Sequence, residues 1–276
     1  QSKSDFLASM SHDIRTPING ICGMVDVGDH YSNDLQKQAD CRKKIREASN
    51  ILLELINEVL DMSKLESGEI LLEEKPFDVY KTINDVMDLV SRQADERGIK
   101  VEQTIEIEHR KLLGSSLYLK RMLMNILSNA VKYNKDYGNI DLSCKEIPSH
   151  STESTMLEFT CRDTGIGMSS GFKEHVFESF AREQKGGASK FGGTGLGMTI
   201  TKNLAEKMGG TIQFESEEGV GTTFVIQIPF KIDTETDRME KEEKTVASLH
   251  GLHILLVEDN ELNMEIAEFI VTDEGA

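Results

Sequence analysis

The chain has 276 residues, of which 38% are hydrophobic and 29% charged, and its formal net charge at pH 7 is −17. This composition is typical of a globular protein with one to three domains and a proper core. The charge argues against direct binding of nucleic acid, because contacts to phosphates need a basic surface.

The four cysteines and the hydropathy pattern bear on location. The cysteines stand far apart without a C-x-x-C pair, which excludes a zinc site of that spacing and a disulfide framework and favours a reducing compartment. No run of 18 apolar residues and no signal peptide occurs, so we expect no membrane contact from this segment. We predict a cytoplasmic location. The chain begins within a polar helical pattern, so we expect a fragment, and attachment to a membrane upstream stays open.

Residues 1–67 predict an antiparallel helical hairpin. Two apolar seams, each with steps of three and four residues, flank the polar segment GDHYSND at 28–34. The first seam is Phe6, Met10, Ile14, Pro17, Ile21 and Met24, and the second is Cys41, Ile45, Ala48, Leu52, Leu55, Val59 and Met62. Apolar flanks remain at Leu7, Ile18, Val25 and Ile56. Because two helices cannot enclose a four-helix core, we predict a homodimer that forms a four-helix bundle.

A histidine lies opposite the first seam. In SHDIRTPING (11–20), His12 falls about 200° from Met10 on a helix of about 100° per residue. The phase favours an imidazole that is displayed over one that is packed in the core. An ordinary solvated surface histidine remains the alternative.

In residues 68–230 the hydropathy pattern is no longer purely helical, and it predicts an α/β sandwich. Alternating apolar residues predict strands within 99–107, 157–161 and 224–230. Helical patterns lie between them, near 77–96, 115–134 and 196–208. We expect the strands in one layer and the helices in the other.

The last part of the chain predicts a linker and a further unit. Residues 231–250 have no aromatic residues and alternate in charge, which is typical of an exposed helix or linker. From 251 to 276, HILLVEDNELN predicts a buried strand that ends in acids, followed by a helix to about Thr272. We interpret this segment as an incomplete unit.

Three stretches carry side chains suited to a nucleotide. Asn125, Asn129, Lys132 and Tyr133 share one predicted helical face, and carboxamides with an ammonium can hold a divalent metal and phosphates. CRDTGIGM (161–168) places Asp163 at a strand end before two glycines, where a carboxylate can accept from an adenine amine. KFGGTGLGMTI (190–200) opens a helix whose N–H groups suit a polyphosphate. A polar solvent face and two tight turns are the alternative readings.

Other glycine-rich sites fit the sequence poorly. No G-x-x-x-x-G-K-[ST] is present, which excludes a P-loop, and the GxG pairs do not extend to GxGxxG, which disfavours a Rossmann site. The stretch between Met168 and Gly193 is rich in Gly, Ser and Lys. With Phe177 and Phe180 near its start, it predicts a mobile lid with apolar contacts.

Together these stretches resemble the sensor histidine kinases. SHDIRTPINGI resembles their H box, RMLMNILSNAVKYN the N box, DTGIGM the first glycine box, FESF the F box and GGTGLGM the second glycine box, all in the family's order. DMSKLESGEILLEEKPFDV resembles the junction between the two kinase domains, and HILLVEDNELN the start of a receiver domain. The resemblance implies a hybrid kinase with a phosphotransfer hairpin, an ATP-binding domain of the GHKL type and the first strand and helix of a truncated, doubly wound receiver.

The resemblance also implies a role for individual residues. His12 would be phosphorylated by ATP, with Asp13 as general base or orienting acid, and Thr16 would place water for dephosphorylation of a partner's aspartyl phosphate. The ATP-binding residues it implies are Asn125, Asn129, Lys132, Tyr133, Asp163, Gly165, Gly167, Gly193, Thr194, Gly195, Leu196, Gly197 and Thr222. Of these, Asn129 would bind Mg²⁺ and Asp163 adenine. Glu258 and Asp259 match a receiver's Mg²⁺-binding acids, in an incomplete site.

The implied partners are a second copy of the chain and a response regulator or receiver domain with a phosphoacceptor aspartate. Ser115 and Ser179 depart from the residues common in the N and F boxes, and they bear on the geometry of the lid. Two alternatives stay open. One is another ATPase of the same nucleotide-binding fold, and the other is a dimeric, nonenzymatic scaffold with a degenerate ATP site.

Overall fold

The structure, a computed structural model, describes most of the chain up to residue 234 and scattered positions after it. The described residues are 3–67, 72–147, 153–181, 183, 195–234, 255–257, 260, 263–265, 268 and 272. Within the helices, the side chains of residues 3–9, 12, 13, 54 and 66 lie outside the description. The chain divides into two compact units, residues 1–233 and 234–276.

Helices and strands follow one another in an order close to the predicted one. The helices are α1 (Lys3–His30), α2 (Leu35–Ser67), α3 (Val79–Asp95), α4 (Ser116–Lys132), the short α5 (Ser170–Lys173) and α6 (Gly197–Lys207). The strands are β1 (Lys75–Asp78), β2 (Lys100–Glu106), β3 (Lys111–Gly114), β4 (Asn139–Ile147), β5 (Ser154–Asp163), β6 (Thr211–Glu217) and β7 (Gly221–Ile232). The helices predicted up to residue 208 and the strands β2, β5 and β7 are confirmed, whereas α5 and the strands β1, β3, β4 and β6 were not predicted.

Helices α1 and α2 form the predicted hairpin. Met10 and Cys41 of the two seams are buried, as is Leu55, while Leu52 is half-buried. The assignment of Gly28 to the connecting turn was wrong, because α1 continues to His30. A Cβ atom at this buried glycine would be in ordinary van der Waals contact with Gln38 and Cys41 of α2. No helix among the described residues combines the length and the apolar character that a membrane span requires.

The strands form a mixed sheet in the order β1-β3-β7-β5-β4-β2, with β6 paired to β7. Strands β2 and β4 are parallel, and the other pairs are antiparallel. Alternate residues of β4, β5 and β7 are buried with one face of α3, α4 and α6 in a single core. This arrangement confirms the predicted α/β sandwich, because alternate residues of a strand lie on one face of the sheet.

Side-chain caps fix where two core helices begin. The Asp78 carboxylate accepts from the backbone N–H of Lys81 at 3.1 Å, and the Ser115 hydroxyl accepts from that of Tyr118 at 3.4 Å. Both caps precede an apolar helical face, the sequence signature of a helix start. Ser115, which departs from the family pattern, therefore serves as the N-cap of α4.

The second unit departs from the prediction. Leu255–Val257 have no strand conformation, and Leu255 and Val257 are 87% and 86% exposed. The prediction of a buried strand here was wrong for these residues. A strand of a doubly wound sheet is buried only by paired neighbours and covering helices, and no described strand pairs with this segment.

Glu146 ties three parts of the sheet together. Its carboxylate accepts from the backbone N–H groups of Glu108 (2.7 Å) and His109 (2.9 Å) and from the hydroxyl of Thr155 (2.6 Å). The ring Nδ1 of His109 lies 2.6 Å from the same carboxylate. Burial by itself raises the pKa of Glu146, but the hydrogen bonds outweigh this effect and lower the pKa to about 2.

We expect Glu146→Gln to lower the free energy of unfolding at neutral pH. A depressed pKa in the folded state stabilises the protein above the ordinary glutamate value, and this contribution is lost as pH falls towards about 2. The contribution is at most on the order of 3 kcal/mol. Thermal unfolding across this pH range checks it, with Glu215→Gln, an exposed carboxylate on β6, as the control. A pH-independent difference between wild type and Glu146→Gln would contradict this account.

Candidate functional site

Asp163 lies at the end of β5, opposite Thr222 of β7. Its Oδ1 accepts from the backbone N–H of Gly165 at 2.8 Å and from that of Thr222 at 3.3 Å. Burial raises the pKa of Asp163, and the two backbone bonds offset only part of that rise. Because both bonds go to Oδ1, the second carboxylate oxygen retains acceptor capacity towards a ligand.

The side chain of Thr222 belongs to a small hydrogen-bond network beside Asp163. Its buried hydroxyl lies 2.9 Å from the hydroxyl oxygen of Ser216, which also accepts from the backbone N–H of Met168 at 2.9 Å. The prediction brought Thr222 to this place but missed Ser216. The alternation of Ile212 and Phe214 marks β6 and could have directed attention to Ser216.

Backbone segments approach this carboxylate closely. At Gly221, φ is 147°, and a Cβ atom there would overlap the carbonyl oxygen of Asp163. A Cβ atom at Gly165 would come within 2.7 Å of the Asp163 carboxylate and closer still to the carbonyl of Tyr133. Only glycine fits such positions. Gly167 has a φ of 63° and faces the carbonyl of Glu217.

The polar face of α4 meets the start of α6. The amide nitrogen of Asn125 donates to the hydroxyl oxygen of Thr201 at 2.6 Å, and a Cβ atom at Gly197 would overlap the Asn125 carboxamide. The amide nitrogen of Asn129 lies 3.5 Å from the sulfur of Met198. Leu196 is the N-cap residue of α6 and is fully buried.

Of the four residues predicted to share one face of α4, Asn125 and Asn129 both contact α6 and Lys132 is the last residue of the helix, whereas Tyr133 lies beyond it. Helix α4 ends at Lys132, and Tyr133 is its C-cap residue with φ −95° and ψ 9°. The Lys132 ammonium lies 4.9 Å from the centre of the Tyr133 ring. The carbonyl oxygen of Tyr133 accepts from the backbone N–H of Ile166 at 3.0 Å. One helix thus contacts both the segment after Asp163 and the start of α6.

The segment before α6 is anchored by phenylalanines. The Phe177 ring lies 5.6 Å from that of Phe214, and its carbonyl accepts from the Thr199 hydroxyl at 3.0 Å. The backbone N–H of Phe180 donates to the carbonyl of Gly195 at 3.0 Å. Gly193 and Thr194 lie outside the described residues, as do residues 182 and 184–192 of the predicted lid, which stays a prediction.

The predicted phosphoacceptor lies in the first half of α1. The backbone of His12 and Asp13 is helical, and their side chains lie outside the described part of the chain. Thr16, one turn further on, is exposed, and Pro17 is buried inside the helix. The expectation that His12 is displayed to solvent therefore rests on its helical phase, which is opposite to that of the buried Met10.

The end of α2 contacts the sandwich. Asp61 forms an ion pair with Arg121 of α4, and Leu65 is buried in the core that α3, α4 and α6 share with the sheet. Met62 packs partly buried against that core. Hairpin and sandwich are therefore in direct contact through the last two turns of α2.

The acidic pair expected to bind metal, Glu258 and Asp259, lies outside the described residues. Within the described ranges, no three His, Cys, Asp or Glu side chains are arranged to hold a metal ion. Carboxamide oxygens and nucleotide phosphates are ligands of another kind that suit Mg²⁺.

Both halves of the first unit match known families. Residues 2–68 match the His Kinase A (phospho-acceptor) domain. Residues 114–232 match the histidine kinase-, DNA gyrase B- and HSP90-like ATPases. The first match coincides with the hairpin, and the second covers the sandwich from the end of β3 to the end of β7.

Two curated relatives align with most of the chain. The autoinducer 2 sensor kinase/phosphatase LuxQ of Vibrio parahaemolyticus is 31% identical over 99% of this chain and 32% of its own length. The signal transduction histidine-protein kinase BarA of Escherichia coli K12 is 35% identical over 82% of this chain and 24% of its own length. The chain therefore spans about a third or less of these relatives.

Solved structures share the fold. Full-length ShkA in complex with AMPPNP aligns with a TM-score of 0.62 and 28% identity, over 82% of this chain and 46% of that one. The histidine kinase ThkA in complex with the response regulator protein TrrA aligns with a TM-score of 0.55 over 82% of this chain and 61% of that one. Its 20% identity indicates a common fold only. On the family matches and these relatives together, the chain belongs to the sensor histidine kinases, an enzyme family, with a phosphoacceptor hairpin followed by an ATPase domain.

Proposed function

We propose that the chain is an ATP-dependent protein-histidine kinase that phosphorylates its own His12 and passes the phosphoryl group to a receiver-domain aspartate. The observation that carries this proposal is the half-buried carboxylate of Asp163, held by two backbone N–H groups and flanked by glycines. A carboxylate with a spare acceptor oxygen and open backbone around it suits the amine and ring of adenine. In this proposal residues 1–67 are the phosphotransfer hairpin and residues 68–230 the ATP-binding domain.

The other end of the nucleotide would lie between α4 and α6. The backbone N–H groups in the first turn of α6 and the ammonium of Lys132 suit phosphates. Mg²⁺ fits the carboxamide oxygen of Asn129, because the amide nitrogen of that side chain faces the Met198 sulfur. When bound, the cation neutralises charge on the phosphates. We assign Asn125, Tyr133, Gly165, Gly167, Gly193, Thr194, Gly195, Leu196, Gly197 and Thr222 to the walls of the same pocket.

The chemistry at His12 is a phosphoryl transfer. A ring nitrogen of the neutral imidazole attacks the γ-phosphorus, the new N–P bond forms, and the bond to the bridging oxygen breaks with its electron pair leaving on ADP. The other ring nitrogen carries the proton, and an acceptor beside it stabilises the positive charge that develops. We assign that acceptor to Asp13, which follows His12 in α1.

A second phosphoryl transfer, and the hydrolysis of its product, complete the proposed activity. The phosphoryl group would move from His12 to an aspartate of a response regulator or receiver domain, and Thr16 would place water when that aspartyl phosphate is hydrolysed. Thr16 is exposed one turn after His12, which lets a docked partner reach both. Pro17 removes one helical hydrogen bond there, so bending of α1 can separate the two activities. We place these reactions in the cytoplasm.

Exposed apolar side chains on the hairpin support a homodimer. Ile18 and Val25 of α1 are 41% and 46% exposed and lie two turns apart on one flank of the seam. Leu53, Ile56 and Leu60 form a similar flank on α2 and are 40–58% exposed. A second hairpin that covers both flanks would complete a four-helix core.

The alternatives explain the structure less well. Another ATPase of the same fold has no need of the hairpin with His12 in its first helix. A nonenzymatic scaffold with a degenerate ATP site would not need to retain a carboxylate whose charge is opposed by burial, together with its backbone donors.

We expect the chain to incorporate label from γ-labelled ATP with Mg²⁺, in an acid-labile form, and His12→Gln to abolish it. The glutamine cannot form the N–P bond, yet it should leave ADP binding intact. The control is His30→Gln, which alters an exposed histidine in the last turn of the same helix and should label normally. Undiminished labelling of His12→Gln would rule out His12 as the phosphoacceptor.

Asp163→Asn should weaken ADP binding by about 5- to 150-fold, the effect of one lost hydrogen bond worth roughly 1–3 kcal/mol. Asparagine keeps an oxygen for the two backbone donors but presents an amide nitrogen to adenine. The variant should be at least as stable as wild type at neutral pH, because burial opposes the charge of Asp163. That stability difference should shrink as pH falls through the raised pKa.

Calorimetry with ADP and thermal unfolding against pH measure the two effects. Asp141→Asn, an exposed carboxylate on the neighbouring strand β4, is the control and should change neither. Equal ADP affinity in Asp163→Asn and wild type would remove Asp163 from adenine recognition.

The unmodified chain should be a dimer in light scattering, and the double variant Ile18→Glu, Ile56→Glu a folded monomer. Two buried carboxylates per hairpin would oppose association, whereas both positions are exposed in one hairpin. Leu117→Glu, which changes an apolar residue of α4 that is 69% exposed, is the control and should remain dimeric. A monomeric wild type at micromolar concentration would refute the bundle.

A further inference from the structure

Arg97 contacts the end of α4 from the side of α3. Its guanidinium donates to the carbonyl oxygens of Val131 at 2.5 Å, Lys132 at 3.3 Å and Asn134 at 2.8 Å, and it pairs with Asp136 at 2.9 Å. Carbonyls at the end of a helix have no intrahelical donors and carry the negative end of the helix dipole. One planar cation thus caps the helix on which Asn129 and Lys132 lie.

The capped segment holds the loop that follows Asp163. Between the capped carbonyls, the carbonyl of Tyr133 accepts from the backbone N–H of Ile166 at 3.0 Å. The side-chain oxygen of Asn134, a buried residue, lies 3.4 Å from the donating hydroxyl of Thr164. Gly165, between these two anchored residues, donates its N–H to Asp163.

The turn that carries Arg97 does not depend on the guanidinium. The backbone carbonyl of Arg97 accepts from the N–H of Tyr137 at 3.1 Å, and the N–H of Lys100 donates to the carbonyl of Gly138 at 2.9 Å. Ala94, at the end of α3, is fully buried in the core. Shortening the side chain of Arg97 should therefore loosen the end of α4 without unfolding the sandwich.

We propose that Arg97 is a positioning residue for the nucleotide: by capping α4 it fixes Tyr133 and Asn134, and through them the loop that orients Asp163. Arg97 touches neither the carboxylate of Asp163 nor the nucleotide in this scheme. A lysine cannot replace it fully, because one ammonium cannot reach three carbonyls with the spread of a guanidinium. The proposal rests on the ATP site proposed above.

The test uses the full chain and three variants: Arg97→Met, the milder Arg97→Lys, and the control Arg110→Met. Arg110 pairs with Asp78 at 2.7 Å near the opposite end of α3, so its loss removes an arginine ion pair away from the loop after Asp163. Calorimetry with ADP and Mg²⁺ gives affinity and stoichiometry separately. Amide hydrogen exchange of Ile166, with Phe159 in β5 as internal reference, reports on the loop.

We expect Arg97→Met to weaken ADP binding by about tenfold at unchanged stoichiometry, since mutations along such a coupled path have effects of this order. Arg97→Lys should be intermediate and Arg110→Met unchanged. The Ile166 amide should exchange faster in Arg97→Met, while that of Phe159 stays protected.

Two results would overturn the inference. One is equal ADP affinity in Arg97→Met and wild type, and the other is a lower stoichiometry at unchanged affinity, which marks partial unfolding. Failure of the wild-type chain to bind ADP would be distinct, because it would overturn the proposed function itself.

Discussion

The partial burial of one carboxylate, that of Asp163, is the constraint on which the packing at this end of the sandwich depends. Burial opposes the negative charge and raises the pKa of Asp163, and two backbone N–H groups compensate it only in part. Those donors come from different places, Gly165 just after β5 and Thr222 in β7. The carboxylate can be held in this way only if both segments approach closely, which is why glycines stand at 165 and 221. The carboxylate can still accept a hydrogen bond from an amine of a ligand.

Helix α4 transmits that constraint to the rest of the molecule. Ser115 caps its start, its apolar face lies in the core, and its end is held by Arg97 and receives the N–H of Ile166. Its polar face contacts α6 through Asn125 and Asn129. The ion pair between Arg121 and Asp61 then connects this helix to α2, and so to the hairpin on which His12 lies.

Periodicity predicted the long elements and missed the short or locally ambiguous ones. Strands β1 and β3 have four residues each, too few to show an alternation, and their pairing depends on the rest of the sheet. Strand β4 does alternate, with Ile140, Leu142 and Cys144 buried, and its pattern was available in the sequence. The segment at 255–257 shows the converse, because an apolar run predicts a buried strand only where neighbours exist to cover it.

For the candidate site, sequence patterns indicated the residue types but not their partners. The place of Asp163, between a strand and two glycines, followed from the motif. The contact of Ser216 with Met168 and the carbonyl contacts of Arg97 did not, because they join residues 34 to 48 positions apart whose contacts arise only from strand pairing and helix packing. A Ser or an Arg that binds backbone groups has no local sequence signature, since the backbone is the same for every residue.

The pKa of Asp163 itself tests this account most directly. Titration of its carboxyl carbon by NMR in the nucleotide-free chain should give a midpoint above the ordinary aspartate value of 3.8. Saturating ADP at neutral pH should then shift the same carbon resonance, because the adenine amine donates to the carboxylate. A midpoint at or below 3.8, or a resonance unchanged by ADP, would contradict the central role assigned to this half-buried carboxylate.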